Sequence, residues 1–233
     1  MQGLIWIMDE TINLLNHWLY RQLERESWDW LTQQRQQITS ILSERLLFST
    51  FSAVSRHVGK DDLMLLPQDR QACQTVCSDW YPGHWNIQQV ARTLLVLSWP
   101  NQNQDFYLHT IGKLFATANL EELVTLYQAL PILSYPEQLR LQAAEGVRSN
   151  MTAVVDAVAL QNPYPAEYFD DIAWNQMILK ALFVGSSLDL IQGLERRANS
   201  TLAQMLSDYA QERRSAKRSV PNQLWQLVET CPQ

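Results

Sequence analysis

A chain of 233 residues with a formal charge of −6 and 46% hydrophobic residues has the make-up of a folded globular protein. The acidic balance argues against general nucleic-acid binding, which needs a positive surface against phosphate. Three cysteines, an odd number, do not make a disulfide framework and fit a reducing, cytoplasmic compartment.

The chain opens MQGLIWIMDETINLL, an apolar run without a basic flank that meets Asp9 and Glu10 at once, unlike a signal peptide. The most apolar run elsewhere, LLVLSW at 94–99, is far below the ~20 residues of a membrane span. No transmembrane segment is expected. The apolar spacing is helical at 10–25, 28–50, 67–78, 86–99, 102–117, 120–130, 136–146, 151–161, 167–184, 186–196, 198–216 and 221–229. At 120–130, Asn119 is a natural N-cap, Glu121 and Glu122 complement the helix dipole, and Pro131 stops the helix. No period-2 strand stands out, and only seven glycines suit helices on short connections. Pro67, Pro100, Pro131 and Pro163 are separated by 33, 31 and 32 residues, a period that suits stacked helical hairpins. The predicted fold is all-α: a HEAT- or TPR-like helical stack (α-solenoid) of about 10–12 helices, forming a single domain over 1–233.

Motifs for chemistry are scarce. There is no GxGxxG and no GxxxxGK[ST], and VGKDD at 58–62 reads as a helix end and turn. Cys73 and Cys77 share a helix face with His84 downstream, but a structural zinc needs a fourth ligand that is not nearby. No metal and no cofactor is expected. WYPGHW at 80–85 crowds Trp80, Tyr81, His84 and Trp85 around a Pro-Gly turn, as an aromatic lid on a helical layer or a partner-facing cluster. Arg92, in an otherwise apolar helix, should find an acid or a carbonyl. The basic run ERRSAKRS at 212–219 reads as helix-end capping and solubility, with docking to an anionic surface as the alternative.

The densest polar material lies in NPYPAEYFDDIAWNQMILKALF at 162–183. Asn162 and Tyr164 each precede proline and are pushed towards extended geometry, so the chain must turn there. In the following helix Ile172, Leu179, Leu182 and Phe183 are expected on the core side, with Asn175 beside them. Two readings stay open. Arg148, Asn175 and Gln176 pin neighbouring helices, or Arg148, Asn150, Tyr164, Tyr168, Asp170, Trp174, Asn175, Gln176 and Lys180 line a ligand pocket. An enzymatic version of the pocket would use Asp170 or Asp171 with Lys180 and a tyrosine as acid and base.

Several stretches carry a resemblance: RSNMTAVVDAVALQNPYPAEYFDDIAWNQMILKALF (148–183), ELVTLYQALPIL (122–133), WYPGHWNIQQVARTLLVL (80–97) and LERRANSTLAQMLSDYAQERRSAKRSVPNQLW (194–225). Together they resemble the EboA family of cyanobacteria and some other bacteria, over 50–229, with 1–45 the more variable part. Gln211 departs from the family pattern, which is associated with histidine at that position. The resemblance implies an accessory role in moving secondary-metabolite precursors, as in scytonemin production, by an adaptor or small-molecule carrier and not an enzyme. It implies as partners the other proteins of the ebo cluster, including a prenyltransferase-like membrane component, and an aromatic metabolite. No catalytic residue carries over from it.

Overall fold

The computed structural model describes residues 2–231, with side chains from residue 8 onward. Among these residues there are thirteen α-helices and short 3-10 turns; the only extended pairing is an isolated antiparallel bridge between Asp62 and Asn86. The all-α expectation holds. The helices fall into two compact units, Met1–Leu139 and Arg140–Gln233.

The first unit contains α1 (Gln2–Gln22), α2 (Arg25–Ile41), α3 (Glu44–His57), α4 (Pro67–Val76), α5 (Ile87–Leu97), α6 (Gln104–Thr117) and α7 (Leu120–Ala129). Every residue of α5 is buried, because α1, α2, α3 and α7 all pack on it. A helix buried all round must satisfy its own polar groups. Asn86 and Gln89 form a reciprocal capping box, Gln88 Nε2 donates to the Val58 carbonyl at 2.9 Å, and Gln89 Nε2 donates to Gln128 Oε1 on α7 at 2.5 Å. Arg92 reaches the Phe51 carbonyl through Nε at 3.4 Å, and its guanidinium lies over the Phe51 ring. Burial pulls its pKa down, while Glu122 and Glu121 on α7 act in the opposite sense. α7 begins as its sequence predicts, with Asn119 and Glu122 closing a capping box.

The second unit contains α8 (Arg140–Arg148), α9 (Thr152–Ala159), α10 (Tyr164–Tyr168), α11 (Asp171–Val184), α12 (Ser200–Ser215) and α13 (Asn222–Thr230). Here α11 is central, packed on α8, α9 and α12. It stops at Gly185, whose φ of +84° is the left-handed geometry that glycine adopts most cheaply.

Three segments and one helix face depart from the sequence periodicity. The 28–50 segment is two helices, because Leu42 turns left-handed (φ 55°) and Ser43 caps α3 by accepting from the Leu46 amide at 3.3 Å. The 167–184 segment is also two, broken where Asp170 caps α11 by accepting from the Ala173 amide at 2.8 Å. Residues 186–196 form only a 3-10 turn, Leu188–Leu190, followed by non-helical turns. Ile172 and Phe183, expected in the core, are 71% and 65% exposed; Trp174, Asn175, Met177, Ile178, Ala181 and Leu182 form the buried face of α11 instead. α11 carries apolar residues on both sides, so its spacing alone leaves the inward face undecided, and packing on α8, α9 and α12 selects it. The four evenly spaced prolines occupy unlike places: the start of α4, the loop after α5, the 3-10 turn after α7 and the cap of α10.

Candidate functional site

The NPYP stretch turns the chain from α9 into α10. Asn162 is buried and holds the turn from inside: its Nδ2 donates to the Ala157 carbonyl at 2.9 Å, and its Oδ1 accepts from the Tyr164 amide at 3.0 Å. Tyr164 is fully buried, with Tyr168 4.8 Å and Phe169 6.2 Å away between ring centroids. Gln161 turns left-handed (φ 50°), and its amide donates to the Leu190 carbonyl at 2.8 Å.

The segment that follows α11 wraps this joint. Arg197 Nη1 donates to the Ala166 carbonyl at 2.8 Å, and Nη2 donates to the Phe169 carbonyl and Asp171 Oδ1, both at 3.0 Å. It thereby satisfies carbonyls at the end of α10, pairs with an acid in the first turn of α11, and lies over the Trp174 ring at 5.1 Å. Arg196 pairs with Glu167. Gly193 has φ +76°, and a Cβ there would sit 2.7 Å from the Ala166 Cβ, so two requirements for glycine coincide. Asn175 and Asn199 exchange amide hydrogen bonds at 3.1 and 3.0 Å, and Asn199 Oδ1 also accepts from the Leu202 amide to cap α12. Gly193, Arg197 and Asn199 are candidates that periodicity missed, since the helical spacing read at 186–196 and 198–216 gives no sign of the contacts these residues make with α10 and α11.

The candidate residues separate into buried and exposed sets. Tyr164, Trp174 and Asn175 are buried, and Tyr168 is half-buried beside Tyr164. Asp170 is exposed and occupied as a helix cap. Arg148 is exposed and pairs along its own helix with Glu145 at 2.5 Å, while Asn150 and Gln176 are also exposed. Lys180 is half-buried, its ammonium 6.0 Å from the Phe183 ring centre. It stands nine residues beyond Asp171, roughly 13 Å along the axis at the rise of an α-helix. The aspartates and Lys180 are therefore not brought together as an acid–base pair.

The aromatic turn of the first unit faces mostly inward. Trp80 and Trp85 are buried, with Trp80 stacked on Trp18 at 6.1 Å and edge-on to Trp85 at 5.9 Å. Tyr81 is half-buried under the Arg70 guanidinium, and His84 is exposed. Among the described residues no group of three or more His, Cys, Asp or Glu gathers as a metal site. Burial, followed by nearby Asp69, pushes the Cys73 thiol up to about 12, the opposite of an activated nucleophile. No helix among the described residues is long and apolar enough to cross a membrane.

No curated protein and no solved structure matches this chain. One family model does, that of the metabolite traffic protein EboA, over residues 11–229. The match takes in both units and the whole NPYP–ERRANS joint, and the chain belongs to the EboA family.

Proposed function

We propose that this chain is a non-catalytic accessory protein of metabolite traffic, working as an adaptor through the outer face of α11. The observation that carries this reading is the division of α11 into two faces. Its inward amide, Asn175, is spent on the bond to Asn199, so the polar signature serves the fold. Outward, Ile172, Gln176, Lys180 and Phe183 follow helical spacing on one side, two of them large apolar residues left in water. A carrier would present Tyr164 or Trp174 to an aromatic metabolite, and both are fully buried. The adaptor version is preferred for that reason. Its partners are the other proteins of the ebo cluster, including the prenyltransferase-like membrane component, in export of scytonemin-type precursors from the cytoplasm.

Titration calorimetry of the purified chain against each cluster protein tests this. Ile172→Ser with Phe183→Ser is expected to weaken the cognate complex at least about tenfold with little change in melting temperature, since both residues are exposed. If no cluster protein binds, while an aromatic precursor alone raises the wild-type melting temperature, the carrier reading replaces the adaptor.

A further inference from the structure

Charge is unevenly distributed along this chain. From Arg213 to Val228 there are four cations, Arg213, Arg214, Lys217 and Arg218, and no acid. The whole chain is −6 and this tract is +4, which leaves −10 on the rest. Among the described residues none of the four cations takes part in an ion pair, whereas seven other Lys or Arg residues do. Arg213 is half-buried and engaged within the chain, with Nε donating to the Ser219 carbonyl at 2.6 Å and Nη1 to the Tyr209 hydroxyl. Arg214, Lys217 and Arg218 are exposed at the turn between α12 and α13.

The helix dipole accounts for cations in the last turn of α12, but Lys217 and Arg218 lie beyond it. Their amides close the helix end, Arg218 onto the Arg213 carbonyl and Lys217 onto the Arg214 carbonyl. Lys217 occupies the left-handed position of that motif (φ 55°), where glycine is the cheaper residue. The Arg214 guanidinium lies 5.0 Å from the ring centre of Trp225, which is half-buried at the edge of the same tract.

We propose that the α12–α13 turn is a docking surface for anionic lipid headgroups. Three unpaired cations beside a half-exposed indole match the headgroup layer, where Lys and Arg meet anionic lipids and tryptophan sits at the interface. A long nucleic acid is a poorer match, because an extended polyanion would also meet the net −10 of the remaining chain. A bilayer plane need touch only this turn. The inference is independent of the adaptor reading.

Co-sedimentation of the full chain with phosphatidylcholine vesicles, with and without phosphatidylglycerol, decides it. Binding is expected only with phosphatidylglycerol, and is expected to fall steeply as salt rises. Arg214→Gln/Lys217→Gln/Arg218→Gln should lower partitioning about a hundredfold at low salt. Lys217→Gln/Arg218→Gln, which leaves the Trp225 contact untouched, should lower it at least tenfold with an unchanged melting temperature. Arg214→Lys/Arg218→Lys should bind like wild type. No sedimentation of the wild type with anionic vesicles, equal sedimentation of the triple variant, or tighter binding to duplex RNA than to vesicles would each overturn it.

Discussion

Asn175 carries a carboxamide into a helix face otherwise made of Trp174, Met177, Ile178, Ala181 and Leu182. Its amide would cost a few kcal/mol there without partners, and Asn199 supplies a donor and an acceptor at once. Removing either partner strands the other, so Asn175→Ala and Asn199→Ala should each destabilise the protein by about 1–3 kcal/mol. The Asn199 change should cost more, because that residue also caps α12. A double-mutant cycle in urea should return a coupling of about 1 kcal/mol, and strict additivity would refute the paired role.

Between α10 and α11 the decisive contact comes from a distant turn. Arg197 is largely enclosed and gathers two backbone carbonyls, one carboxylate and an aromatic face. Its neighbour Arg196 makes a single exposed ion pair. Arg197→Met should therefore cost about 2–3 kcal/mol in urea unfolding, while Arg196→Met should cost less than ~1 kcal/mol. Equal effects would mean that the enclosed arginine organises nothing. This contrast also marks where the sequence stops being legible. Asn119, Glu122 and Pro131 delimit α7 by local chemistry, and the apolar run at 90–97 announces α5, so both are readable without neighbours. Residues 186–199 are different: their conformation answers to Gly193 against Ala166 and Arg197 against α10, contacts spanning 26 to 31 positions in sequence. The local helical spacing at 186–196 is overruled by them. The same holds for α11, whose apolar residues lie on both sides, so that only its packing on α8, α9 and α12 decides that Ile172 and Phe183 face outward.

Across the whole chain, each compact unit carries its own central helix, α5 in one and α11 in the other. In the first, Asp69 is buried between α1 and α4, accepting from Arg21 Nη2 at 2.7 Å and from the Leu66 amide at 2.7 Å. Burial alone would raise its pKa; the bonds from Arg21 and Leu66 overcome that, and the net direction is down. A depressed carboxyl stabilises the fold above its unfolded value, about 3.9, and that contribution drains away as pH falls through the lower folded value. Urea unfolding of wild type should thus lose more stability between pH 7 and pH 3 than Asp69→Asn, which should start about 2 kcal/mol lower and respond less to acid. Parallel pH curves for the two proteins would show that Asp69 is not responsible.

The enclosure of α5 also bears on how the chain is made. Its surroundings are drawn from both directions, with α1, α2 and α3 synthesised before it and α7 after it. While residues 87–97 leave the ribosome, the face awaiting α7 has no cover, and Gln89 lacks Gln128 until more than thirty further residues have emerged. Vectorial synthesis therefore carries an interval in which a helix destined for burial along its whole length is unshielded on one side, a window for chaperone capture that closes when residues 120–129 arrive.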